Sequence, residues 1–179
     1  MNICVYLSAQ EGRDPEYRAF VTELGHLIGN GGHTLVYGGS KSGMMGAVAD
    51  AVLETGGKVI GVEPRFFIEA EFQHDGITEL LVTETMNERK EKLVELSDVF
   101  IALPGSTGSL EEIADTASMI KMGFIDKKLI IADYKGFYSP LKKLFENMIE
   151  GDFVKREELS GIIFADSLDE IKEKLDNLV

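Results

Sequence analysis

Residues 99–112 read VFIALPGSTGSLEE: an apolar run, a proline, two glycines spaced by small hydroxyl residues, and a pair of glutamates. The run from Val99 to Leu103 is short, rich in large apolar side chains and closed by Pro104, which predicts a buried strand. Gly105 and Gly108 open the backbone beyond it, and Ser106, Thr107 and Ser109 offer hydroxyl groups where a helix from Leu110 to Met122 begins. Read locally, Ser109-x-x-Glu112 is a capping box in which Ser109 caps the helix and Glu112 reaches back to its N–H. The same residues also suit a phosphate cradle with a carboxylate beside it.

The strand-loop-helix unit repeats along the chain. Further strands are predicted near Ile3–Leu7, Thr34–Tyr37, Lys58–Val62, Leu80–Thr83, Leu129–Asp133 and Gly161–Phe164, and helices over Pro15–Asn30, Gly43–Thr55, Asn87–Leu96, Pro140–Ile149 and Leu168–Leu178. Short apolar strands alternating with helical periods imply right-handed βαβ crossovers. The fold class is therefore α/β, a Rossmann-like doubly wound parallel sheet of about seven strands with helices on both faces. Glu63–Gly76 is the least regular stretch. With 179 residues and 44% apolar composition there is material for one good core, so residues 1–179 are expected to form a single Rossmann-like domain.

In such sheets ligands sit beyond the carboxyl ends of the strands. A second glycine-rich loop falls at such a place: VYGGSKSGMMGAVADAV, Val36–Val52, with Gly38, Gly39, Gly43 and Gly46 between strand and helix. It matches neither G-x-x-x-x-G-K-[ST] nor G-x-G-x-x-G, and it reads either as a tight turn or as an anion site.

Arg89 joins the two loops. In TMNERKEKLVELSDV, Met86, Leu93 and Leu96 mark the apolar stripe of a helix, and Arg89 lies on that stripe while Lys90 and Lys92 reach solvent more easily. A guanidinium turned toward the sheet needs a carboxylate or a bound anion. Glu112 opens the next helix, so the two groups flank one strand. Together with two amide-rich loops they suit a phosphorylated sugar.

The bulk numbers exclude other partners. Thirty-one acidic against 18 basic residues give a net charge of −13, with no basic run, which argues against nucleic acid and an anionic membrane. No segment has the length and apolarity of a membrane span or a secretory leader, so a cytoplasmic protein is expected. Cys4 lies in an apolar run and reads as a core thiol. The histidines lack metal-ligand spacing, His26 falling on a helix face and His74 in a surface loop, so no metal is expected.

These residues are similar to those of the LOG (Lonely Guy) family, the cytokinin riboside 5'-monophosphate phosphoribohydrolases often labelled lysine decarboxylases. The likeness runs from ICVYL through GFYSPL and GDFV. The family's P-G-G-x-G-T-x-x-E is here Pro104-Gly105-Ser106-Thr107-Gly108-Ser109-Leu110-Glu111-Glu112, and its M-x-x-R-K is Met86-Asn87-Glu88-Arg89-Lys90. The first loop resembles Y-G-G-G-x-x-G-L-M-G with Ser40 at the third glycine. Leu7-Ser8-Ala9-Gln10 stands where the family has C-G-S-S, and Ala117–Lys121 where it has W-T-W-A-Q.

The resemblance implies hydrolysis of the N-glycosidic bond of a nucleoside 5'-monophosphate, AMP-like or N6-modified, with Arg89 and Glu112 catalytic. It further implies substrate binding by Gly38, Gly39, Ser40, Gly43, Met86, Lys90, Pro104, Gly105, Ser106, Thr107, Gly108 and Ser109, no cofactor, and a homodimer. Ile113, Ala114, Ala117, Met119, Ile120 and Met122 give that helix more apolar positions than one stripe requires, which agrees with an interface that includes Met119. The alternative is a non-catalytic carrier of a phosphorylated ligand, since the fold is also similar to that of molybdenum-cofactor carriers. A dinucleotide site with Glu63 on a ribose has the wrong glycine spacing, and no motif places a Schiff-base lysine.

Overall fold

Seven segments of four to seven residues are too short for stable helices and, the two edge strands apart, are largely buried on both faces, so they pair side by side. In the computed structural model, which describes residues 1–70 and 72–178, they are β1 (Asn2–Tyr6), β2 (Thr34–Tyr37), β3 (Lys58–Pro64), β4 (Glu79–Thr83), β5 (Val99–Ala102), β6 (Lys128–Ala132) and β7 (Ile162–Ala165). All pair in parallel, in the order β4-β3-β2-β1-β5-β6-β7. The expected sheet is present, with boundaries shifted by two residues at most.

Between them run α1 (Pro15–Asn30), α2 (Gly43–Glu54), the short α3 (Arg65–Glu69), α4 (Met86–Leu96), α5 (Thr107–Lys121), α6 (Ser139–Glu150) and α7 (Leu168–Asp176). Alternation along β1 sends Ile3 and Val5 to a core shared with α1, α2 and α7, and Cys4 and Tyr6 to one shared with α4, α5 and α6. Each fully buried Ile, Leu or Phe of these layers contributes roughly 1.5–3 kcal/mol of apolar transfer. Cys4 is a buried core thiol, as expected. No helix among the described residues is long and apolar enough to cross a membrane.

Two local expectations are corrected. The stretch after β3 holds α3, whose five residues bury none of their side chains and so leave no periodic trace in the sequence. The helix of the opening stretch, α5, starts at Thr107 rather than Leu110: Ser106 takes the extended N-cap conformation and its carbonyl accepts from Leu110 N–H at 3.1 Å.

Candidate active site

The chain runs outward from β1 to β4, then returns to place β5 on the other side of β1, with Tyr6 opposite Ala102. Strand order reverses there. A cleft of about 220 Å³ opens beyond these two strand ends, walled by Ser8 and Gln10 after β1, Met44 in α2, Pro104, Gly105 and Ser106 after β5, and Phe137. Neither α2 nor α5 has a side-chain hydrogen bond at its N-cap, whereas Asp14, Thr85 and Ser167 cap α1, α4 and α7. Two helix N-termini with free N–H groups therefore border one cleft, an arrangement that favours an anion.

At the same carboxyl edge of the sheet, Arg89 from α4 and Glu112 from α5 form a buried ion pair, Nη1 donating to Oε1 at 3.1 Å. They are 7% and 8% exposed. Arg89 Nε also donates to the Val62 carbonyl at 3.1 Å, which fixes the guanidinium across the end of β3. Glu112 is thus turned to Arg89, and the capping box is absent: Ser109 is the third residue of α5, and its buried Oγ has no partner. Burial pushes the Glu112 carboxyl above its ordinary range and the Arg89 charge holds it back. Tyr6 and Tyr138 pack nearby, their hydroxyls bonded to Thr116 Oγ1 and the Leu103 carbonyl, both at 2.9 Å. Tyr138 in this way steadies the carbonyl preceding Pro104.

The first loop meets this pair from β2. A β-carbon on Gly38 would overlap Nη2 of Arg89, and one on Gly39, whose φ is +89°, would lie 2.9 Å from Glu63 Cβ. Glycine at both positions is what lets the guanidinium and the carboxyl approach the backbone. Gly43, at φ +55°, opens α2 against the Ala9 carbonyl, with no room for a side chain. Ser40 is buried and accepts from Ser42 N–H at 3.1 Å.

The structure thus brings Gly38, Arg89 and Glu112 together, and separately gathers Gly43's helix with Pro104, Gly105 and Ser106 at the cleft. Thr107 and Gly108 form the first turn of α5, and Met86, 38% exposed, opens α4. Lys90 does not simply face solvent: it bridges α4 to α5, 3.0 Å from Glu111 and 3.9 Å from Asp115. His74 is no free surface residue either, since its mostly covered ring bonds Asp50 at 3.0 Å. His26 lies on α1 and bonds Glu54 on α2. Ser8 and Gln10 belong to the stretch set against the family's C-G-S-S, whereas Met44 and Phe137 escape sequence reading, because only the topology carries them to the strand reversal.

A family model described as "Possible lysine decarboxylase" matches residues 45–175. The cytokinin riboside 5'-monophosphate phosphoribohydrolase LOG of Oryza sativa subsp. japonica is 33% identical over 177 residues, 99% of this chain and 73% of that protein. The cytokinin riboside 5'-monophosphate phosphoribohydrolase of Rhodococcoides fascians is 33% identical over 169 residues, 94% of this chain and 85% of that one. Among solved structures, the molybdenum cofactor binding protein of Rippkaea orientalis superposes with a TM-score of 0.75 at 23% identity, covering 99% of this chain and 96% of that chain. The Moco carrier protein of Chlamydomonas reinhardtii does so at 0.74 and 19%, with the same coverage. At these identities the two structures share the fold.

Proposed function

The chain belongs to the LOG family, the family whose model is described as possible lysine decarboxylase, and from this premise we propose that it hydrolyses the N-glycosidic bond of a nucleoside 5'-monophosphate, releasing free base and ribose 5-phosphate. The observation that carries the reading is the buried Arg89–Glu112 pair on the sheet edge that also opens a cleft bordered by two uncapped helix N-termini, one of them the start of the helix that carries Glu112.

The 5'-phosphate sits on the N–H groups of Gly105–Ser109 and of the first loop. Glu112 lies five residues into α5 from Thr107, roughly 7.5 Å along the axis, a span that a ribose 5-phosphate can bridge. As the base departs, positive charge grows at C1' and the ring oxygen. A carboxylate near the ribose stabilises that charge while water attacks C1'; the base leaves with the electron pair of the broken C1'–N bond and takes up a proton, and the attacking water gives one up as its oxygen becomes the 1'-hydroxyl. Arg89, always protonated, orients Glu112 and steadies negative charge; it is a poor proton donor. No cofactor is required for these steps.

AMP and an N6-substituted AMP, incubated with the protein and assayed for free base, test the reading. Release of base is expected from at least one, and Arg89→Ala and Glu112→Gln are each expected to lower it by about a hundredfold or more while leaving the fold intact. Tight binding without release from either nucleotide would assign the chain to ligand carriage instead.

A further inference from the structure

Glu63 is a carboxyl at this site to which the reaction above gives no task. It lies near the end of β3, is 2% exposed, and its Oε2 has no hydrogen-bond partner among the described residues. Alternation along β3 sends Val62 toward α4 and Glu63 to the opposite face, where Tyr37 enters from β2. The Tyr37 hydroxyl and Gln73 Oε1 are likewise buried without partners, and Gln73 bridges to the first loop at Ser40. Three of the four such atoms among the described residues therefore belong to residues around Gly39.

Arg89 reaches the same place from the other face. Its Nε holds the carbonyl of Val62, the residue before Glu63, and its Nη2 rests against Gly38, the residue before Gly39. A β-carbon on Gly39 would be 3.1 Å from Glu63 Oε2. The two bare glycine α-carbons are thus packed against Arg89 on one side and Glu63 on the other. The guanidinium is bonded to one carboxyl, Glu112, and its charge reaches a second, Glu63.

Among the described residues the charged surroundings of Glu63 are few. Arg89 on α4 is the cation; Glu112 on α5 neutralises it; Tyr37 on β2 is a neutral phenol. Asp50 on α2 acts on Tyr37 and is bonded to His74. Burial pushes the Glu63 carboxyl up from 4.5 to about 7, and Arg89 is the charge that restrains it. An orphaned carboxylate oxygen is costly as an anion and far less so as an acid.

The geometry points to Glu63 as a positioning residue that acts through Arg89: carrying its proton it leaves the guanidinium to Glu112 and the anionic substrate, and on losing that proton it competes for Arg89 and makes the site one charge more negative. This rests on the reading of Arg89 and Glu112 as the reactive pair. A phosphomonoester would therefore bind more weakly as Glu63 ionises.

Two measurements test it. Carbon NMR of protein labelled at the glutamate carboxyls, with the Glu63 signal assigned by its loss in Glu63→Gln, reads the proton directly. Titration in the neutral range, moving higher in Arg89→Met, is expected; titration below pH about 5 overturns the inference whatever the protein does with nucleotides. The second is ribose 5-phosphate affinity from pH about 6 to about 8.5. Relative to Glu63→Gln, wild-type affinity is expected to fall by up to roughly tenfold per pH unit above neutrality, the limit for one linked proton. The ligand's own phosphate titration cancels in that ratio. Parallel profiles overturn the inference, and Glu63→Met serves as the neutral variant if Glu63→Gln does not fold. A neutral-range carbon signal that responds to Arg89→Met, with ribose 5-phosphate bound by neither protein, supports the Arg89–Glu63 coupling and overturns the nucleotide reading.

Discussion

Position 38 tolerates nothing beyond a hydrogen atom without moving Arg89. Gly38→Ala is therefore expected to displace the guanidinium from Glu112 and to lower base release by roughly a hundredfold, the usual cost of a misplacement near 1 Å. A thermal melt run alongside should fall as well, because parting a buried ion pair is destabilising; an unchanged melt with wild-type turnover would show that Arg89 has room to shift. Glu63 makes a separate prediction about stability. Its folded-state value of about 7 lies above the ordinary 4.5, so the native state binds the extra proton between those values. Its contribution is fully present below pH 4.5 and is lost as pH rises through about 7. At about 1.4 kcal/mol per unit, wild type should lose roughly 3 kcal/mol relative to Glu63→Gln between pH about 4.5 and about 8, measurable by urea unfolding. A constant difference between the two proteins would mean that Glu63 titrates normally. Arg89 was legible in the sequence because it interrupts an apolar stripe. The Glu63 environment was not, because the orphaned oxygens around Gly39 come from separate segments that only tertiary packing assembles.

At the scale of an element, α5 shows how a local pattern can be overruled. Ser109 to Glu112 has the spacing of a capping box, yet Thr107 and Gly108 are already helical and Ser109 packs against Gly105. Glycine's poor helix propensity makes the sequence reading start late. The buried ion pair, which no local pattern contains, decides where Glu112 points. A pair of variants separates the roles. Ser109→Ala removes a hydroxyl with no partner and should leave the melting temperature unchanged or slightly raised. Ser167→Ala removes a real cap, whose Oγ accepts from Glu170 N–H at 3.3 Å, and should cost about 1 kcal/mol. Equal losses in the two would restore the capping role of Ser109. Strands and long helices were readable because apolar period and flanking Gly or Pro agree there; α3 was hidden because it buries nothing.

At the scale of the whole molecule, the surface between α5 and α6 is the least finished. Leu110, Leu144 and Phe153 are 47%, 47% and 82% exposed around an apolar groove of about 390 Å³ that also includes Ala114 and Met148. Met119, expected at an interface, is half-buried, so the free apolar area lies one helix face away. We propose that a second copy of the chain covers this groove. Light scattering should give a dimer at micromolar concentration, and Leu110→Glu combined with Phe153→Glu should give a monomer; a double variant that stays dimeric would move the contact elsewhere. The seven-strand order was legible only as a class, because strand identity can be read from the chain while the reversal at β1 depends on which crossovers pack.

That reversal also sets an order in time. The cleft lies between β1 and β5, and Asn2 is joined to Asp98 and Leu96 across 96 and 94 residues of chain. During synthesis β1 can pair with β2 early, but its other edge waits until nearly a hundred residues have emerged from the ribosome. Pairing over such separations is slow, and an unpaired apolar edge is exposed to association meanwhile. The cleft consequently cannot exist before β5 has been made. A nascent chain halted before β5 carries the first glycine loop and Arg89 but has no cleft in which to use them.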